Sequence, residues 1–253
     1  MNRGGQIQFQ QFPLTPAVKW IIIVTTVIWV LFQLILEGYA GIPFTKYFAL
    51  FPGKVIYDFQ IWQPFTYMVL HTLSVGHLVL NMLMLWFVGA ELETRWGWKF
   101  FLSYYVITGV GAALVYCLGV AIYFLVTGNQ QPLRIPVVGA SGAIFGLLIA
   151  YGLLFGERIM HFMMIFPMKA KVFVLILATV EIFSLLTTGV AGGEVANLAH
   201  LGGFISGYLT LFAWSRYQRM AWNQKAKKKG SKLRLVVDNE RDKKTGEGPK
   251  YWN

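Results

Sequence analysis

The chain of 253 residues is long enough for one domain, but 56% of it is hydrophobic, only 13% is charged and the mean hydropathy is +0.55. Those figures exclude a soluble globular domain and place the chain in a bilayer. The net charge of +11 comes mostly from a basic C-terminal stretch. The single cysteine, Cys117, lies within an apolar run, which supports neither a disulfide framework nor a thiolate metal site and suits a small core residue.

A backbone in hydrocarbon must bond to itself, and continuous apolar runs able to cross roughly 30 Å are helices, whereas a barrel would alternate in short segments. The fold class is therefore all-α: a polytopic membrane protein with six predicted spans. Residues 1–17 carry no charged leader with a cleavage site, so they are expected to form a short cytoplasmic segment, with the first apolar run kept as an anchor. That run spans Val18 to Leu36. Glu37 to Trp62 mixes Gly, Pro, Lys and Asp with many aromatics and predicts a structured loop at the membrane interface. The second span covers His77 to Leu92, the third Phe100 to Val126, the fourth Val138 to Phe155, the fifth Lys171 to Thr187 and the sixth Leu198 to Trp214. The six-helix membrane domain is thus placed at residues 18–216, and the polar, basic residues 217–253 are expected to be a disordered cytoplasmic tail.

Orientation follows from the short connections. With the N-terminus inside, inner connections hold Arg3, Lys19, Arg95, Lys99, Arg158, Lys169 and Lys171, and outer ones only Lys46, Lys54 and Arg134. The positive-inside rule then puts both termini in the cytoplasm, most simply of a cell that bears this protein in its plasma membrane. The tail lysines suit anionic lipid better than nucleic acid, and no internal repeat of the transporter kind is present.

Within this topology GASGAIFG opens the fourth span at its outer end. A helix N-terminus offers unpaired N–H groups and a positive dipole, so an oxyanion formed at Ser141 would be stabilised. Gly139, Ala140 and Gly142 remove bulk around it. Small residues are also ordinary helix-packing material, so the string alone decides little. His200, in NLAHLGGFISG, shares the outer depth of Ser141, and an ionisable group inside a membrane points to function. Gly203 and Gly207 follow it on one helix face, and Gly142 and Gly146 stand beside Ser141, so the two backbones are expected to approach until the hydroxyl meets the imidazole. Phe145, one turn below Ser141, either lies under that imidazole or fills the core. In HLVLN, His77 and Asn81 are four apart and form either an oxyanion hole with the Ser141 N–H or a satisfied interhelical pair. No aspartate lies near His200 in the sequence, so the spans offer a dyad and no third member. Glu181, in the middle of ATVEIFSLL, is either an inward group with a partner or a selector of substrate, and His161 in an inner loop has no assigned part.

HxxxN in the second span, GASG opening the fourth and AHLGGFISG in the sixth, in that order, resemble the rhomboid family of intramembrane serine proteases over Val18 to Trp214. The resemblance implies that Ser141 is the nucleophile, His200 the general base, His77 and Asn81 the oxyanion-hole side chains, and Gly139, Gly142, Gly203 and Gly207 the close-packing glycines. It makes Glu93 and Arg95, in GAELETRWG, structural charges near the inner face and gives His71 the ordering of the first loop. Phe145 stands where some members carry tyrosine and keeps the ring without the hydroxyl. The implied partners are transmembrane protein substrates and membrane lipid, with no nucleic acid, metal or cofactor. A wet cavity near Ser74 and Gly76 is expected to admit water, and the Gly189–Asn197 loop with the outer part of the fifth helix is expected to move to admit substrate. The alternatives are a non-proteolytic rhomboid-like protein that binds membrane clients, and a small transporter, for which a continuous polar pathway is lacking.

Overall fold

The computed structural model describes residues 13–162, 166–189 and 196–230. The chain divides into two compact units, Met1–Leu211 and Phe212–Asn253. The principal helices are α1 (Pro16–Tyr39), α2 (Val75–Trp96), α3 (Trp98–Thr127), α4 (Ser141–Leu154), α5 (Ala170–Thr188) and α6 (Ala196–Gly230). The protein is an all-α membrane protein. By length and apolarity α1, α2, α3 and α5 can each cross a membrane, with mean hydropathies of 2.2, 1.6, 2.2 and 2.0. The other two expected spans differ from them. The fourth is a helix of only 14 residues, and the apolar start of the sixth is interrupted by Asn197, His200 and three glycines.

α4 is apolar all round and is buried on most sides, with Ala143, Ile144, Leu147, Leu148, Ala150 and Tyr151 in the core. α5 is different: its only buried residues, Ala170, Phe173 and Val174, lie in its first turns, while Val180, Ile182, Phe183 and Leu186 are exposed. Between α1 and α2 the expected interfacial loop is a run of short helices, Thr45–Phe48, Pro52–Tyr57 and Gln63–Thr66, followed by a 3-10 turn at Tyr67–Val69. Tyr57, Phe59 and Trp62 project from it, as a headgroup-level segment favours.

Charged groups inside the fold hold helix ends. Glu93, 3% exposed, reaches from α2 to the start of α1, where its carboxylate accepts hydrogen bonds from the Ala17 and Val18 N–H groups (2.9 and 3.0 Å) and the Thr15 hydroxyl (2.5 Å). Those are N–H groups that no intrahelical carbonyl can satisfy. Glu91 accepts from the Tyr151 hydroxyl at 2.6 Å and pairs with Arg158, so Glu91 and Glu93 tie α2 to α4 and α1. Arg95 stacks over the Phe155 ring.

Two elements depart from the sequence reading. The connection between α4 and α5 contains an antiparallel hairpin, β1 (Ile159–Phe162) with β2 (Phe166–Lys169), where only a loop was expected. At its base Glu157 pairs with Lys169 and Lys171, and those hydrogen bonds hold its carboxyl well down, at about 2. The predicted disordered tail is helical at its start, since α6 continues to Gly230 rather than stopping near Arg216. Ala, Gln, Arg, Met and Lys, which make up eleven of the fourteen residues 216–229, are good helix formers even where no apolar stripe is present. Arg3, the tail beyond residue 230 and most of the Gly189–Asn197 loop lie outside the described residues.

Candidate active site

The segment before α4 is pinned from two sides. Leu50 and Val137 exchange backbone hydrogen bonds of 3.0 and 2.9 Å, and the Gly139 N–H donates to the Tyr67 carbonyl at 3.0 Å. Gly139 then turns the chain with φ +131°, a conformation open to glycine, and α4 begins at Ser141 itself. As the first helical residue, Ser141 has an N–H without an intrahelical acceptor, in the positive field of the helix end.

α6 comes very close to α4. A Cβ on Gly203 would stand 2.2 Å from the Gly142 carbonyl oxygen, and one on Gly207 would stand 2.9 Å from the Gly146 Cα. Gly142 and Gly146 in turn face α3, where added Cβ atoms would meet Ala112 and Thr108 at 2.9 and 2.5 Å. The glycines therefore join three helices, not only the two expected. Tyr104 of α3 reinforces the junction by donating to the carbonyls of both Gly146 (2.8 Å) and Gly207 (3.0 Å). The Ser206 hydroxyl donates to the Thr108 carbonyl at 2.9 Å, and the Tyr67 hydroxyl to that of Gly109 at 2.7 Å.

This packing brings Ser141 Oγ within 2.8 Å of His200 Nε2. The His200 ring lies on Phe145, with centroids 4.3 Å apart and planes 12° from parallel, and Phe204 meets Phe145 edge-on at 5.0 Å. Both dyad side chains are half-buried.

His77 faces the same space. A methyl group at Gly139 would sit 3.4 Å from His77 Nε2 and 3.5 Å from Ser141 Oγ, so the hydroxyl and the imidazole flank one small unfilled volume. The Thr72 backbone N–H donates toward His77 Nδ1 at 3.4 Å, and the Thr72 hydroxyl is 3.1 Å from it. An acceptor Nδ1 leaves the proton on Nε2, directed toward that volume. Asn81, 8% exposed, donates one amide hydrogen to the His77 carbonyl at 2.8 Å. It is thus engaged by its own helix, with its second amide hydrogen remaining as a donor.

Several contacts around the site have no counterpart in the sequence reading. Gln33 of α1, 2% exposed, brackets the His71 backbone, donating to its carbonyl (2.5 Å) and accepting from its N–H (2.8 Å). The His71 ring is 1% exposed, has no hydrogen-bond partner among the described residues, and is tilted against His77 at 5.2 Å. Burial pushes its imidazole down to about 3, so it is neutral. Most notably, Glu181 Oε1 of α5 lies 3.0 Å from His200 Nδ1. The sequence offers a dyad with no aspartate near His200 and leaves Glu181 as either an inward group with a partner or a selector of substrate; the structure turns it inward, and the partner is His200. Spacing along the chain gave no hint, because α5 and α6 meet only in three dimensions; the signal available was an isolated charge in an apolar helix. Asn197 Nδ2 donates to Ser184 Oγ at 2.6 Å one turn away. Among the described residues no three His, Cys, Asp or Glu side chains gather in a metal-holding group. A cavity of about 630 Å³ beside Lys54, Phe124 and Arg134 shares no lining residue with the dyad.

The family model described as Rhomboid domain matches residues 58–217. Among curated relatives, RHOMBOID-like protein 1 of Arabidopsis thaliana is 32% identical over 77% of this chain and 45% of its own length. Rhomboid protease GlpG of Pectobacterium atrosepticum is 26% identical over 84% of this chain and 70% of its own. Rhomboid protease GluP of Bacillus subtilis is 29% identical over 73% of this chain and 32% of its own. The chain spans about half the length of the Arabidopsis relatives it matches.

Proposed function

The chain belongs to the rhomboid family, and on that premise we propose that it is a serine endopeptidase that hydrolyses peptide bonds in or next to transmembrane segments of other membrane proteins. The observation that carries this reading is the 2.8 Å contact between Ser141 Oγ and His200 Nε2 at the free N-terminus of α4. A hydroxyl at hydrogen-bonding distance from an imidazole nitrogen is the arrangement that base-assisted nucleophilic attack requires. Two bacterial relatives named rhomboid proteases support the same class.

In the proposed mechanism Ser141 Oγ attacks the scissile carbonyl carbon while His200 Nε2 takes the hydroxyl proton. The carbonyl oxygen becomes an oxyanion, held by the Ser141 N–H, His77 Nε2–H and the second amide hydrogen of Asn81. Collapse of this intermediate breaks the C–N bond, and His200 returns the proton to the departing amine. A water molecule, deprotonated by His200, then attacks the acyl carbon; collapse of this second intermediate breaks the acyl C–Oγ bond, and His200 returns the proton to Ser141 Oγ, releasing a carboxylic acid and free Ser141. Gly139 contributes by omission, since any side chain there would fill the space between nucleophile and donor. Both termini are placed in the cytoplasm and the site toward the outer face of the cell membrane, supported by the distribution of Lys and Arg.

A carbonyl locked in a helical hydrogen bond is poorly presented for attack, so the preferred substrate helices carry Gly, Pro or other breakers and a small residue before the cut. A panel of transmembrane reporters incubated with wild type and with Ser141→Ala tests the reading, with product termini mapped. Cleavage by wild type and none by Ser141→Ala is expected, together with Ser141-dependent labelling by a fluorophosphonate. Equal cleavage by the two proteins would sink it, and binding of reporters without cleavage would favour a client-binding protein.

A further inference from the structure

We infer that Glu181 is a positioning residue for His200, so that the proposed dyad works as a Ser141–His200–Glu181 triad assembled from three helices. This inference rests on the proteolytic reading above and extends it to a residue on α5.

Glu181 is surrounded along its own helix by side chains that face outward: Val180, Ile182 and Phe183 are 56%, 49% and 67% exposed. Its carboxylate is 13% exposed and turns inward to His200. A lone carboxylate at mid-helix in an apolar span costs several kcal/mol unless it is paired. Among the described residues the one ionisable group it meets is His200 Nδ1, at 3.0 Å. Among the described residues neither His200 Nδ1 nor Glu181 Oε2 has a hydrogen-bond partner, so the 3.0 Å approach of Nδ1 to Oε1 is an ion-pair contact that is not yet an aligned hydrogen bond. Contacts of this kind commonly align when substrate occupies the site. The Asn197–Ser184 hydrogen bond, one turn away on both helices, fixes the register that puts Glu181 opposite His200.

The chemistry follows from the acceptor-only character of a carboxylate. Glu181 favours the tautomer with hydrogen on Nδ1, which leaves the Nε2 lone pair facing Ser141 Oγ. When Nε2 takes the serine proton, the ring carries both hydrogens and a positive charge that Glu181 faces at 3.0 Å. In this step the proton moves from Ser141 to His200, and Glu181 serves only as acceptor of the Nδ1 hydrogen bond.

The test uses the full chain in detergent or lipid: wild type, Ser141→Ala, Glu181→Gln and Glu181→Asp, with a transmembrane reporter and a fluorophosphonate. Glu181→Gln is expected to lower kcat by about tenfold or more with KM within about twofold, and to slow labelling in proportion. Glu181→Asp is expected to fall between it and wild type. Histidine ¹⁵N NMR of the wild type reads the tautomer directly and is expected to show hydrogen on Nδ1 of His200. Glu181→Gln that cleaves and labels at the wild-type rate overturns the inference and leaves the Ser141 protease standing. So does hydrogen on Nε2 of His200 in the wild type, even where the variants fail to fold. A wild type that neither cleaves nor labels overturns both readings.

Discussion

Phe145 lies flat against His200, the two rings 4.3 Å apart and 12° from parallel. An imidazole that must present one nitrogen to a hydroxyl needs its plane fixed, and a ring on its face restricts tilt without competing for either nitrogen. Aromatic pairs of this kind contribute about 0.5–1.5 kcal/mol beyond area burial. Phe145→Leu should therefore lower kcat/KM roughly two- to tenfold. Phe145→Tyr, which keeps the ring, should leave it close to wild type. Steady-state cleavage of a reporter helix by the two variants checks this.

Gly203 is the tightest point of the α4–α6 junction, with the Gly142 carbonyl oxygen 2.2 Å from where a Cβ would be. A backbone oxygen cannot swing away as a flexible side chain could. Gly203→Ala should push the two helices apart, cost about 1–3 kcal/mol of stability and abolish most cleavage. Thermal unfolding in detergent and reporter cleavage measure the two effects. A protein of wild-type stability and activity would show that the junction yields more easily than its geometry implies.

Glu93 offers a different kind of test, far from Ser141. Its carboxylate takes two backbone N–H groups and a hydroxyl at the start of α1. Hydrogen bonds to charged groups contribute about 1.5–3 kcal/mol each. Glu93→Ala should lower stability by at least about 2 kcal/mol, read as a reduced unfolding midpoint and faster proteolysis near residue 15. Glu93→Gln retains one acceptor oxygen and should fall between.

His71 predicts a pH dependence of stability. Its folded imidazole is held neutral down to about 3, whereas an unfolded histidine protonates near 6.5. Between those limits the unfolded chain binds the extra proton. Stability is therefore lost as pH falls from about 6.5 toward 3, by up to about 1.4 kcal/mol per pH unit from this group. His71→Leu should flatten the fall in unfolding midpoint across that window. An identical slope in variant and wild type would refute the assignment.

Much of this arrangement was legible in the sequence because membrane helices announce themselves by composition, and because the glycines at 139, 142, 203 and 207 and the polar groups at 77, 81, 141 and 200 interrupt apolar runs at matching depths. The Ser141–His200 contact could be anticipated from depth and packing alone. Glu181 was visible as an anomaly, but its partner was not, since nothing in α5 specifies which face meets α6. The clamp of Gln33 on His71 and the reach of Glu93 to α1 join segments 38 and about 76 residues apart, and single-sequence periodicity carries no information about such pairings. The hairpin at 159–169 escaped because its strands are four residues long and one contains Pro167. The helical stretch after Arg216 escaped because high charge resembles disorder when helix propensity is left out.

The clasp of Tyr104 on the Gly146 and Gly207 carbonyls sets a tolerance. Hydroxyl and imidazole ride on rods that are not covalently adjacent, and a slip of one residue along either would displace them by about 1.5 Å, enough to stretch and misdirect their 2.8 Å contact. A phenol keyed to main-chain oxygens on both rods forbids that slip whatever side chains face the lipid. The Ser141–His200 contact is thereby insulated from the composition of the surrounding bilayer, and the alignment that the proposed reading requires should survive transfer between membranes of unlike thickness better than the interhelical loops do.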